Sequence, residues 1–297
     1  MNMKLKMVLA LSCVFVGAVG FSAYPMNGKT SNIPKLNLPQ IGEEINIQNV
    51  SFDTAIANED QDAIVYRCVP CDAAEVRSKI SDLTGSDVEN VEDFPSATRI
   101  SDTESIGFDE VTGRWFYRTD IDFTETASVP DDETSIQIAY EYIKQHDLYP
   151  VSELGEPQIG TVTTGDELLG EEKIIRKNVT YYPLIDGRPV YGQFKIKIGI
   201  GDRGKVVAVD KFATEVEAVS SVATKEASNI QNSILEDDNC LISTESTGSD
   251  VTITDTAIGY YANVESPFIQ PVFVLEGEFE NQEELTILVD AQALSST

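Results

Sequence analysis

The chain has 297 residues, 41% of them hydrophobic, and a formal charge of −29 from 50 Asp and Glu against 21 Lys and Arg. The hydrophobic share supports a sizeable core and excludes disorder over most of the length. The charge repels nucleic acid and anionic membrane surfaces, which are set aside as partners; it serves solubility, with a basic protein partner as the sharper alternative.

Lys4 and Lys6 precede an apolar run from Met7 to about Ala23 that contains only small interruptions, Ser12, Gly17 and Gly20. Basic flank, apolar middle and small-residue end are the layout of a secretory signal. Residues 1–23 therefore read as a signal peptide or an N-terminal anchor, and the protein as secreted or held in the cell envelope. Loss of Lys4 and Lys6 by cleavage takes the charge from −29 to −31. Residues 24–60, punctuated by Pro25, Gly28, Pro34, Pro39 and Gly42, read as a linker with room for one short strand.

Three α+β units follow. In the first, 61–128, a β-prone run at Ile64–Tyr66 leads to a helix from Ala73 to Leu83, capped by Asp72 and ended by Gly85. Strands are expected at 98–100, 105–108 and 114–121, the last alternating through Trp115, Tyr117 and Ile121. In the second unit, 129–220, Pro130 and Asp131 precede a helix over 132–146 with Ile136, Ala139, Tyr140 and Ile143 as its stripe. Strands are expected at 158–163, 173–184, 188–200 and 205–216, with tight turns at Asp186-Gly187 and Gly201-Asp202-Arg203-Gly204. Phe194, Ile196 and Ile198 alternate with Lys195 and Lys197, which gives that strand one apolar and one solvated face. The third unit, 221–297, has a helix over 224–235 and strands at 251–262, 270–279 and 285–289, with Pro271 expected at a strand start or edge. The fold class is α+β: repeated units of one helix packed on a meandering antiparallel sheet.

Few residue types suited to catalysis stand out. His146 is the sole histidine, at the end of the second predicted helix, where the dipole favours a positive imidazole. Neither a nucleophile elbow nor a histidine zinc motif accompanies it. Cys68-Val69-Pro70-Cys71 lies between a strand and a helix. It reads as a local structural disulfide, with pairing of one of the two cysteines to Cys240 and thiol–disulfide exchange as the alternatives. Asn49-Val50-Ser51 and Asn178-Val179-Thr180 match the glycosylation sequon. The acidic runs Asp120/Asp122 and Glu236–Asp238 read as solvated faces; no metal site or cofactor is expected.

Tyr181-Tyr182-Pro183-Leu184-Ile185-Asp186-Gly187-Arg188-Pro189-Val190-Tyr191-Gly192, the alternating strand Phe194–Ile198 and Asp202-Arg203-Gly204-Lys205-Val206 together resemble the strand order of PepSY-type and thermolysin-propeptide-type modules. Asp202-Arg203-Gly204 has one residue fewer between Asp and Gly than that pattern. Exported regulators of the YycH/YycI type are similar, and Ile269–Gly277 resembles their closing strands. The resemblance implies a PepSY/cystatin-like fold and a non-enzymatic regulatory protein. Its implied partner is a sensor protein or peptidase outside the cytoplasm. The expected alternatives are a thiol–disulfide oxidoreductase using Cys68 and Cys71, and an inhibitor or chaperone of a secreted peptidase.

Overall fold

The structure, a computed structural model, describes residues 33–39, 47–56, 62–70, 72–85, 98–99, 104–109, 112–119, 128–164, 173–236, 239–244, 248–263 and 266–293. The expected signal or anchor, Cys71, Asp120, Asp122, Asp237 and Asp238 lie outside these residues. The described chain is α+β, with three helices and two sheets.

The helices begin where their caps put them. α1 (Ala73–Thr84) starts at Asp72, whose carboxylate accepts the Ala74 N–H at 2.8 Å, and stops at Gly85 in the left-handed region. α2 (Asp132–Gln145) starts at Asp131, which accepts from the Thr134 N–H at 2.8 Å. α3 (Ala227–Leu235) is three residues shorter than the 224–235 pattern suggests. Thr224 bridges Gln292 and the Lys225 N–H donates to Ala291, so those residues extend a sheet instead.

The seven-stranded sheet is antiparallel throughout. Its strands are β3 (Thr98–Arg99), β4 (Glu104–Asp109), β5 (Arg114–Thr119), β6 (Gln158–Thr164), β7 (Lys173–Tyr181), β10 (Ile196–Ile200) and β11 (Val206–Lys211), in the order β3-β4-β5-β11-β10-β7-β6. Along β10, Ile196, Ile198 and Ile200 are buried, as the alternation requires, and Tyr117, Val209, Ile198 and Val179 align in register as one apolar row. α2 covers this face with Ala139 and Ile143, both in the same core cluster. Each fully buried isoleucine contributes about 1.5–3 kcal/mol of transfer free energy. Lys177 reaches from β7 to Asp132 in the first turn of α2 at 2.6 Å.

The nine-stranded sheet holds β1 (Asn49–Phe52), β2 (Asp62–Cys68), β8 (Leu184–Ile185), β9 (Arg188–Gly192), β12 (Val216–Ala223), β13 (Cys240–Ser243), β14 (Asp250–Ala262), β15 (Phe268–Phe279) and β16 (Glu284–Asp290). Its spine is the long β14–β15 antiparallel pair, with α3 packed through Ile230 and Ile234. Pro271 lies inside β15 rather than at its start. There one edge of β15 changes partner from β2, which pairs with Ile269, to β16, which begins at Val272, so the missing N–H costs no ladder bond on that edge.

The three expected units share these sheets. β5 of the first pairs with β11 of the second, and β2 of the first pairs with β12 and β15. A short meander leaves an exposed edge, and joining edges satisfies the unpaired backbone groups on both. The residue 188–200 strand is also two strands. Gly192, at φ 83°, turns the chain out of β9, which runs parallel to β14, and into β10 of the other sheet. The 205–216 strand likewise splits into β11 and β12, one in each sheet. The described parts of the expected 24–60 linker are packed. Leu36 and Leu38 are buried against Tyr261, Val272, Val274 and Leu288, and Asn239 clasps them by donating to Leu36 O and accepting from the Leu38 N–H, both at 2.8 Å. β1 pairs in parallel with β14. The prolines there set an extended path, and the leucines between them supply apolar surface that the sheet face takes up.

Two glycines separate backbone strain from close approach. Gly85 (φ 69°) has open space where a Cβ would stand, whereas a Cβ at Gly192 would lie 2.5 Å from Ala262 O. Gly85→Ala is expected to cost about 1 kcal/mol, the penalty for a left-handed L-residue. Gly192→Ala adds a backbone clash and is expected to cost more than about 2 kcal/mol. Urea midpoints measure both; equal losses would contradict the assignment of Gly192 as the crossing point between sheets.

Candidate functional site

Strand alternation places a different chemistry on the other face of the seven-stranded sheet. Next to the apolar row runs the register row Phe116, Asp210, Lys197, Thr180 and Gln158, crossing β5, β11, β10, β7 and β6. Beside it runs the row Arg118, Ala208, Gly199, Asn178 and Gly160. Arg176 lies two positions from Asn178 along β7 and so shares this face; Lys195, just before β10, lies close enough to Lys197 and Asp210 to feel both charges.

Asp210 is the centre. Its side chain is 1% exposed, yet both oxygens are engaged. Oδ1 accepts from Arg118 Nε at 3.3 Å and Nη2 at 3.1 Å, and Oδ2 pairs with the Lys197 ammonium. Arg118 also lies 4.8 Å over the Phe116 ring and is 46% exposed, while Lys197 is 25% exposed. Arg176 approaches from β7. Its Cδ lies 3.1 Å from where a Cβ on Gly199 would stand, so its stem crosses the sheet over that glycine. Its Nε is buried with no hydrogen-bond partner among the described residues, as are Asn178 Oδ1 and Gln158 Oε1.

Four of the chain's 21 Lys and Arg thus surround one carboxylate. Burial, and then the Arg118 charge, pull the Arg176 pKa below its ordinary value, against the opposing field of Asp210. Burial, and then Lys197, do the same to Lys195. Asp210 neutralises only one of the four charges. A second anion about 4 Å from one of these cations gains roughly 4 kcal/mol per pair at an effective dielectric near 20, before its own desolvation. The arrangement can hold an anionic group.

The residues singled out by sequence are dispersed. Cys68 ends β2, is fully buried and belongs to the main core cluster, whereas Cys240 begins β13 in the cluster beneath α3. Arg114, also buried, lies beside Cys68 and Asp109 and donates to Asn263 O at 3.1 Å. Asn49 is exposed on β1 and its side chain donates to Asp250 at 2.7 Å. Asn178 stands inside the seven-stranded sheet, between Gly160 and Gly199, as part of the cationic face. His146 caps α2, but its ring packs 4.3 Å from that of Tyr142. Burial and the Lys79 ammonium, which donates to Asp147 O at 2.8 Å, lower its pKa. They outweigh the helix dipole that would favour imidazolium. Among the described residues no cluster of His, Cys, Asp or Glu is suited to a metal ion, and no helix is long and apolar enough to cross a membrane.

The cationic face was not legible as a site. Lys195 and Lys197 read as the solvated side of an alternating strand, and nothing local ties them to Arg118 or Asp210. The pairing of β5 with β11 does that.

No protein-family model matches the chain, and no curated protein matches it. Among solved structures, the C-terminal domain of Bacillus megaterium YpeB aligns with a TM-score of 0.33 at 10% identity, over 75% of this chain and 94% of that domain.

Two measurements check the electrostatics. The single imidazole is expected to titrate by NMR below 6.5. Because the native state favours neutral His146, its contribution to stability is complete above 6.5 and lost as pH falls through the lowered native value. A titration at or above 6.5 would contradict this. Asp210→Asn leaves four cations without their counter-charge and is expected to cost about 1–3 kcal/mol, less in high salt, by urea unfolding at two ionic strengths. An unchanged midpoint would show that Asp210 does not organise the cluster.

Proposed function

We propose that the chain is an exported, non-enzymatic interaction or regulatory protein that binds a protein partner outside the cytoplasm through the cationic face of its seven-stranded sheet. The observation that carries this reading is the concentration of Arg118, Arg176, Lys195 and Lys197 around buried Asp210 in a chain of net charge −29. In such a chain the general field repels anions, so a local cationic face gives contrast and orientation to an encounter. Export rests on the N-terminal signal pattern. The finer architecture is read as PepSY-type: α1 precedes β3–β5, α2 precedes β6–β11 and α3 precedes β13–β16. The expected partner classes are a sensor protein and a secreted peptidase, the latter inhibited or assisted.

Thiol–disulfide exchange at Cys68 and Cys71 is the weaker reading. Exchange needs a thiolate that a substrate can reach, and the Cys68 side chain is wholly buried.

The test compares wild type with the variant Arg118→Gln, Arg176→Gln, Lys195→Gln and Lys197→Gln, cross-linked in intact envelopes and analysed by mass spectrometry. A partner cross-linked to wild type should be lost in the variant, whose circular dichroism should remain native. The same partner captured equally by a folded variant would exclude this face as the contact surface.

A further inference from the structure

We propose that β6 is a dimerisation edge: two copies of the chain pair β6 with β6 antiparallel, about a two-fold axis through Thr161, and so join their seven-stranded sheets into one. This stands apart from the partner reading above, because it uses the edge of the sheet and not the cations on its face.

β6 is the last strand of its sheet, and among the described residues nothing hydrogen-bonds to its outer edge. Exposed edges are ordinarily kept from pairing by shortness, charge, proline or irregularity. The other edges of this chain follow that practice. β3 and β8 have two residues each, and β1 and β13 have four. β12 carries Glu217, ion-paired with Arg67, and a register break between Ala218 and Ser220. β6 runs for seven residues with neither a charge nor a proline, in a chain of which 24% is charged. Ile159, Thr161, Val162, Thr163 and Thr164 are all β-branched strand formers. The irregularity in its pairing with β7 falls on β7, where Ile175 is the extra residue, so β6 keeps its own alternation.

Gly160 supplies an independent observation. A glycine inside a strand often marks a place where another group comes close. Gly199, Gly259 and Gly277 fit this: an atom lies 2.8, 2.9 and 2.6 Å from where each Cβ would stand. At Gly160 nothing lies within 4 Å. A second copy provides the neighbour. With Thr161 opposite its own counterpart, Val162 of each chain stands opposite Gly160 of the other, on the same face of the joined sheet. The valine fills the space the glycine leaves, and symmetry repeats the fit. Thr161 against Thr161 is itself a favourable cross-strand pair.

Charge favours this seam as well. A net charge of −29 repels a second copy over most of the surface, whereas β6 meets β6 with no like charges opposed. The two-fold axis stands perpendicular to the sheet, so both cationic faces lie on one side. Their Asp210 residues, each on the third strand inward from β6, are separated by inter-strand steps of about 4.8 Å that sum to roughly 34 Å.

The experiment follows the full chain by sedimentation velocity across a concentration series at two salt concentrations. Wild type is expected to dimerise, and more tightly at high salt, where the repulsion between copies is screened. Thr161→Lys and Thr161→Glu each set like charges against one another at the axis and should weaken dimerisation by about tenfold or more. An equimolar mixture of the two variants should restore the dimer, because Lys then faces Glu, and that restoration also shows both variants to be folded. A wild type that is monomeric at every concentration, a dimer indifferent to Thr161→Lys, or a mixture that stays monomeric would each overturn the proposal. A monomeric wild type whose cross-linked envelope partner is lost on Thr161→Lys would give the edge to a foreign strand and overturn it as well.

Discussion

Four residue pairs hold β5 against β11: Trp115 with Lys211, Phe116 with Asp210, Tyr117 with Val209 and Arg118 with Ala208. They join strands some ninety residues apart, and much else follows from them. On one face the pairing completes the apolar row that α2 covers. On the other it brings Arg118 to Asp210, already opposite Lys197, and so creates the cationic cluster. A register slip of one residue would exchange the two faces, burying the charges and exposing Trp115 and Tyr117. The core and the site are therefore fixed by the same four pairs.

The buried carboxylate is the hinge between stability and recognition. Without Asp210, Arg118, Lys197, Lys195 and Arg176 would repel one another on adjoining strands. With it, the cluster holds together and still carries excess positive charge. Net charge alone read as serving solubility, with a basic partner as the alternative; the local distribution favours an anionic one. A chain can be strongly acidic overall and present a cationic contact surface, because at physiological salt a field is felt within roughly 8 Å.

Local features were the most readable. Asp72 and Asp131 as caps, Gly85 as a stop and the alternation through Ile196 and Ile198 depend on neighbours within a few positions, and each took the expected form. The Asp186-Gly187 turn did as well, with both residues at positive φ. Long-range features were hidden. Residues 188–200 look like one strand because Gly192 is flanked by strand formers on both sides. Its need for positive φ and for contact with Ala262 arises only when two sheets lie together. Leu36 and Leu38 look like linker residues because the surface they cover is built from β14, β15 and β16, more than 200 residues away. The site was invisible for the same reason: its residues come from five strands, and their alternation by itself describes a solvated face.

The central claim is that the outer face of the seven-stranded sheet binds anionic partners around Asp210. The Nε–H NMR signal of Arg176 reports on it directly, since that group is buried and unbonded among the described residues. Titration with a short Glu-rich peptide as an anionic probe is predicted to shift the Arg176 signal saturably, with smaller changes at Arg118. An Arg176 signal that stays fixed while resonances elsewhere move would contradict the account.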